Sequence, residues 1–299
     1  MKRVLAAAAA LAVLAAGVLW FLPFELHVGL LKAGLRLGGA APVTAGSLSA
    51  YERSTCVAGA PCRCVALVHG MGDTALTWNK LMLGGDGAPP PPAGVRVLAV
   101  NMPGTDGSAP SADYGIRAQS RVLRAALEAR CPRWTVAGNS LGGWMAGWLA
   151  VDWPQGVERL VLVNAAGLTD PTEQALATAR LLAAPTIPEM KAFSARAYAV
   201  PKPVPERAWP AVIASIRSRP TAAILAALTL DDVLDARLKD VKAETVVVWG
   251  ASDRVLPAGF AGRFAKGIRG AKLVEIAACG HLPQQECPGP VARAVFGAP

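Results

Sequence analysis

The run Gly138-Asn139-Ser140-Leu141-Gly142-Gly143 sets a serine among glycines at the junction of two apolar stretches. Thr135-Val136-Ala137 before it reads as a buried strand, and the uncharged run Trp144 to Ala150 after it as a buried helix. A serine on a tight strand-to-helix turn presents its hydroxyl above the sheet edge as a nucleophile, and the flanking glycines remove the Cβ atoms that would clash in so tight a turn. A hydroxyl nucleophile needs a base, and the base needs an orienting carboxylate. The chain has three histidines. His27 lies beside the N-terminal apolar segment, His69 opens His69-Gly70-Met71-Gly72 after the strand Val65 to Val68, and His281 follows the strand Lys272 to Ile276 in Cys279-Gly280-His281. The strand Thr245 to Gly250 leads into Ala251-Ser252-Asp253. Ser140, Asp253 and His281 thus follow one another in the chain, each at the C-terminal end of an expected strand, where open parallel sheets collect their reactive groups. Asp170, beyond the strand ending at Asn164, is the reserve acid.

With these residues in place, the chain resembles the α/β-hydrolase family from about Cys62 to its C-terminus. His69-Gly70-x-Gly72 followed by Trp78 is similar to the family's oxyanion loop, and Val97 to Gly104 with Gly107-Ser108 to the next strand and loop. Asn101 stands where many members carry an aspartate. Trp249-Gly250-x-x-Asp253 and Gly280-His281 look like the acid and base loops. The resemblance implies Ser140 as nucleophile, His281 as base, Asp253 as its orienter, and an oxyanion hole from the backbone N–H groups of Met71 and Leu141. The second donor falls in the first turn of a helix, where N–H groups have no intrahelical partner. His69 then reads as a structural residue of its loop. The expected fold is α/β, a mostly parallel sheet flanked by helices, with residues 41–299 as the hydrolase domain.

The elements that must position these groups follow from the patterning. Val43 to Tyr51, Cys64 to Val68, Val95 to Val100 and Val157 to Asn164 read as strands, Thr74 to Leu83 as a short helix, and Tyr114 to Arg130 as an amphipathic one. Gly84 to Gly94, with Pro89 to Pro92, reads as a polyproline-like loop. From about 168 to 239 the pattern changes to helical stretches split by Pro185, Pro188, Pro201, Pro203, Pro205, Pro210 and Pro220, with no buried strand, which reads as a helical cap inserted between sheet strands. Phe193, Tyr198, Trp209, Ile213 and Ile216 either line an acyl site there or form the cap's own core. Arg263 to Gly270 is helical before the last strand.

Residues 1–40 read as a membrane anchor or signal segment with its linker. Met1-Lys2-Arg3 precedes an uncharged apolar run from Val4 to Phe24, about 20 residues or roughly 30 Å as a helix, enough to cross a bilayer. The run stays apolar past Ala15-Ala16-Gly17, which favours a retained anchor over a cleaved signal, and Lys2 and Arg3 keep the N-terminus cytoplasmic, with the catalytic domain exported. Leu26 to Leu37 is either an interfacial helix or a linker with a folded stripe. Six cysteines, an even number, suit an oxidising compartment. The resemblance places the loop of Cys279 and Cys287 beyond the last strand and facing Ser140, implying a Cys279–Cys287 disulfide around His281. It also makes the strands after Cys64 and Cys131 neighbours, implying a bridge from Cys62 or Cys64 to Cys131, with Cys56 taking the remaining partner.

The net charge of +9 comes without an aromatic-and-basic nucleic-acid motif. Dispersed arginines make it a solvated surface, with attraction to anionic headgroups near the anchor as the sharper alternative. No cysteine–histidine set has zinc-site spacing, and the chemistry calls for no cofactor. The expected function is hydrolysis of a small-molecule ester or lipid through an acyl-enzyme on Ser140. Thioester cleavage or acyl transfer uses the same triad. A carbon–carbon bond hydrolase is a further alternative, since Gly-Asn-Ser-x-Gly-Gly also occurs in that group. A catalytically silent binding module is disfavoured by the complete triad, and an epoxide hydrolase or dehalogenase by the absence of a carboxylate at position 140.

Overall fold

The computed structural model describes residues 24–297 apart from residue 202. Its centre is an eight-stranded sheet: β1 (Ala41–Ala45), β2 (Leu48–Ser54), β3 (Arg63–Val68), β4 (Val95–Val100), β5 (Trp134–Ser140), β6 (Val157–Ala165), β7 (Glu244–Gly250) and β8 (Lys272–Ile276). They lie in the order β1-β2-β4-β3-β5-β6-β7-β8. Strands β3 to β8 pair in parallel, whereas β2 runs antiparallel to both β1 and β4. The single strand expected over Val43 to Tyr51 is therefore a hairpin. Gly46 takes φ +59° between paired Ala45 and Leu48, a left-handed turn that a two-residue connection requires. No residue type before or after it marks the reversal as strongly.

The central strands are buried on both faces, so their sequences are near-continuous apolar runs. Along β3, Ala66 and Val68 face one apolar cluster while Val65 and Leu67 face another. The first cluster is closed by the helices Ile116–Glu128, Leu141–Asp152 and Gly259–Gly267, and the second by Trp78, Leu81, Met82 and the C-terminal helix Pro288–Phe296. Strand β8 is the exposed edge, with Leu273 and Val274 facing outward.

Between β6 and β7 the described residues form four α-helices, Gln174–Ala183, Ile187–Ala197, Trp209–Arg217 and Thr221–Ala227, with short 3-10 turns and no strand. Prolines mark their starts: Pro188 and Pro210 lie in first turns and Pro220 precedes the last helix, where a missing N–H costs nothing. Thr186 and Glu189 form a capping box. Leu182, Met190, Trp209, Ile213 and Ile216 make a small cluster of their own.

Helix Phe24–Leu37 lies on the domain: Leu35 is fully buried and Lys32 pairs with Asp106 at 2.7 Å. The other face of that helix carries the half-exposed Leu26 and Leu30. No helix among the described residues is long and apolar enough to cross a membrane. The expected anchor over Val4 to Phe24 lies outside the described residues except for Phe24. The cysteines form Cys56–Cys62, Cys64–Cys131 and Cys279–Cys287. Pairing of Cys64 with Trp134 across β3 and β5 is what brings Cys131 within reach.

Candidate active site

Ser140 ends β5 and caps the helix Leu141–Asp152 with φ +54° and ψ −119°. A non-glycine residue held there stores strain of about 1–3 kcal/mol. The turn is possible because the backbone passes so close. A Cβ on Gly138 would sit 2.2 Å from the Gly142 carbonyl oxygen, and one on Gly142 2.3 Å from that of Val68. The helix that follows carries no charge until Asp152 and is buried from Leu141 to Ala150, so the turn rests on a rigid base.

Asp253 follows β7 and His281 follows β8. His281 Nδ1 lies 2.8 Å from Asp253 Oδ2. The Val255 and Leu256 N–H groups donate to Asp253 Oδ1 at 2.7 and 3.2 Å, and Asn164 Nδ2 donates to Oδ2 at 2.7 Å. Burial alone would raise the pKa of Asp253, but the nearby His281 and these hydrogen bonds outweigh it and hold the carboxyl below the usual range. Asp253 is thus kept ionised and acceptor-only, which assigns a proton to His281 Nδ1. Asp170, the reserve acid, sits at the surface accepting from Thr172 and Ala175 and is not joined to His281.

The loop after β3 makes a turn in which the Asp73 N–H donates to the Gly70 carbonyl at 3.2 Å, with Gly72 at φ +70°. His69 is buried. Its Nδ1 bonds the Gly70 carbonyl at 2.8 Å and its Nε2 accepts from the Met102 N–H at 3.0 Å. Burial pulls its pKa down, and one donor plus one acceptor fits a neutral ring. His69 ties two loops together and stands apart from Asp253. Asn101 does similar work, accepting from the Ala75 N–H at 2.7 Å and donating to Ser49 Oγ at 2.9 Å. An aspartate there could not make the second bond.

Ser140, His281, Met71 and Leu141 all line one cavity of about 820 Å³. Its walls come from the strand-end loops and from the four-helix insertion, including Trp144, Phe193, Val212, Ile216 and Leu228. Of the five aromatic and aliphatic positions singled out in the insertion, Phe193, Tyr198 and Ile216 line the cavity, and Ile216 also belongs with Trp209 and Ile213 to the insertion's own cluster. Phe24 also reaches the cavity wall.

Several contributors carry no sequence signal. Asn164 adopts φ +41° and uses both ends of its amide, accepting from the Gly250 N–H at 2.9 Å while donating to Asp253. A β-strand asparagine is rarely so placed, but only the fold shows its partners. Asn139 donates to the Val163 and His281 carbonyls, each at 3.0 Å. Glu286 accepts from the Gly280 N–H at 2.7 Å and the Ala199 N–H at 3.0 Å, and the His281 N–H donates to the Ala197 carbonyl at 2.7 Å. The Arg254 guanidinium donates to the Tyr198 carbonyl at 2.8 Å. The loops that carry Asp253 and His281 are therefore both fastened to the end of helix Ile187–Ala197.

Residues 65–294 match the Alpha/beta hydrolase family. The chain is 27% identical over 237 residues to the 2-hydroxy-6-oxononadienedioate/2-hydroxy-6-oxononatrienedioate hydrolase of Escherichia coli O139:H28, covering 74% of this chain and 82% of that protein. Among solved structures it is similar to a hydrolase from Pseudomonas aeruginosa PA01, with TM-score 0.67, 27% identity, and coverage of 87% of this chain and 99% of that one. A membrane phospholipase A superposes with TM-score 0.73 at 24% identity over 98% of this chain and 96% of the other. The parallel sheet, the strained serine at its centre and the match over most of the chain agree: the protein belongs to the alpha/beta hydrolase family and is a hydrolase.

Proposed function

We propose that the protein is a serine hydrolase of carboxylic esters with apolar acyl groups. The observation that carries this reading is the meeting of Ser140, in its strained turn, with the His281–Asp253 pair in one apolar-walled cavity. In this mechanism Ser140 Oγ attacks the acyl carbonyl and His281 Nε2 takes its proton. Asp253 holds the Nδ1–H tautomer and stabilises the imidazolium. The Met71 and Leu141 N–H groups receive the oxyanion. His281 then returns the proton to the leaving alcohol, and water, deprotonated by the same ring, releases the acid.

Cleavage of a dicarboxylate, as the name of the Escherichia coli relative describes, calls for cations facing the site. Two arginines line the cavity, Arg180 and Arg219. Arg180 is exposed at the rim, and Arg219 is already bonded to the Gly72 carbonyl and Ser215 Oγ. That distribution favours an uncharged acyl group. The apolar run from Val4, the two cations before it and the three disulfides support tethering to a membrane with the catalytic domain on the exported side.

The test is a chain-length series of p-nitrophenyl esters on wild type and Ser140→Ala, run beside a dienoate ring-cleavage product. Ester turnover that rises with acyl length and vanishes in the variant is expected. Turnover of the dienoate alone would transfer the assignment to carbon–carbon bond hydrolysis. Membranes washed at high salt should retain the full-length chain, because an apolar helix is not held by charge.

A further inference from the structure

Met71 contributes its N–H to the oxyanion hole in the mechanism above, and the inference below rests on that reading. Two groups fix the turn that carries this N–H. On the sheet side, His69 Nδ1 holds the carbonyl of Gly70 at 2.8 Å. That carbonyl belongs to the same planar peptide as the Met71 N–H, so holding one end aims the other. On the opposite side lies Arg219, which precedes the last helix of the insertion and faces the cavity. One Nη donates to the Gly72 carbonyl and the other to Ser215 Oγ at 3.0 Å. Burial lowers the pKa of Arg219, while the charge of Asp73 next to Gly72 opposes that shift. Gly72 itself sits at φ +70° with Leu182 and Thr221 of the insertion 3.4 and 3.6 Å from where a Cβ would stand. A partly buried guanidinium loses some of its hydration. Its two donors, set in a rigid fork, join a cavity-lining helix to a glycine that has no side chain of its own to anchor it.

We infer that Arg219 is a positioning residue for the oxyanion hole: by holding the Gly72 carbonyl it makes the orientation of the Met71 N–H depend on how the helical insertion is seated. A donor displaced by about 1 Å from a developing oxyanion can lose up to a hundredfold in rate. An insertion that settles around an acyl chain therefore completes the oxyanion hole, and an empty or badly filled cavity leaves it loose.

The experiment compares the full-length wild type with Arg219→Gln and Arg219→Lys. Three rates or affinities are read: phosphonylation of Ser140 by a fluorophosphonate, kcat and KM for the preferred p-nitrophenyl ester, and inhibition by an alkylboronic acid, whose tetrahedral adduct places an oxygen in the oxyanion hole. Arg219→Gln is expected to slow phosphonylation and kcat by about ten- to a hundredfold and to weaken the boronic acid by the same factor, with KM within about threefold. Arg219→Lys keeps one donor and should recover part of the loss. A folded Arg219→Gln with wild-type phosphonylation and boronic acid affinity overturns the inference. So does a loss carried wholly by KM, which is what simple wall packing would give. If Arg219→Gln does not fold, Arg219→Lys decides: wild-type rates overturn, slowed phosphonylation at unchanged KM supports. A wild-type chain that no fluorophosphonate labels at Ser140 removes the nucleophile assignment itself, and with it any oxyanion role for Arg219.

Discussion

The loops at the C-terminal edge of the sheet and the helical insertion above them wall the same cavity but are held by different physics. The loops of Ser140, Met71 and Asp253 emerge from strands paired on both sides and buried on both faces, that of His281 from the exposed edge strand β8, and their key residues are tied to one another: Asp253 to His281, Asn164 to Asp253, His69 to the Gly70 carbonyl and the Met102 N–H. Strain at Ser140 is tolerated because the surrounding backbone leaves no alternative path. The insertion has only five buried side chains in its own cluster. At about 1.5–3 kcal/mol each, that is a small driving force for four helices, and the insertion is also held by Ala197, Ile224, Leu234 and Leu238, which are buried in the core beneath it, and by contacts such as Arg219 to Gly72, Arg254 to the Tyr198 carbonyl, and Trp144 and Trp148 to the Asp232 carbonyl.

The sharpest way to break this division is at the nucleophile. Ser140→Ala should lower ester turnover by about 10⁶, or to the detection limit, with no loss of thermal stability. A variant that keeps activity would remove the chemistry from the sheet edge altogether. Asp253→Asn should cost about 10⁴ in kcat, because the imidazole loses its tautomer, while Asp170→Asn stays near wild type. A crippled Asp170 variant beside an active Asp253 one would exchange the two assignments.

Changes in the cover should alter selectivity more than chemistry. Val212→Trp, which narrows the cavity wall, should cut kcat/KM for long-chain esters relative to acetyl by about ten- to a hundredfold. Equal losses on both substrates would argue that the insertion controls the chemical step throughout, not only through Arg219. The smallest effect expected is a slope in stability against pH. His69 is buried and neutral with its pKa lowered by burial, so the unfolded chain binds the extra proton first. Stability is then full above the unfolded value of about 6.5 and falls as pH drops below it, by at most about 1.4 kcal/mol per pH unit. Chemical denaturation of wild type and His69→Gln between pH 7 and 5 checks this; the variant should be less stable at pH 7 and should lose that share of the slope.

How far the site could be read from the sequence varied from one residue to the next. Ser140 and His281 were legible because glycines at fixed spacing and a scarce residue type stand out, and Asp253 because it follows a buried strand. The turn at Gly46 was not, since alternating small residues on both sides of it look like one strand. Cys64 and Cys62 were equally eligible for Cys131 until the register of β3 against β5 chose between them.

The residues alone carry the local part of the design: which segments bury both faces, where glycine must stand, and the order of the three groups along the chain. Those depend on side-chain period and backbone sterics, which act over a few residues. Packing in three dimensions settles that helix Phe24–Leu37 lies on the domain, that Asn164 and Glu286 support the loops of Asp253 and His281, and that Arg219 reaches Gly72 across 147 positions of chain. Hydrogen bonds between a side chain and a distant backbone carbonyl or N–H leave no pattern in sequence, because every residue offers the same carbonyl and the choice among them is made by packing.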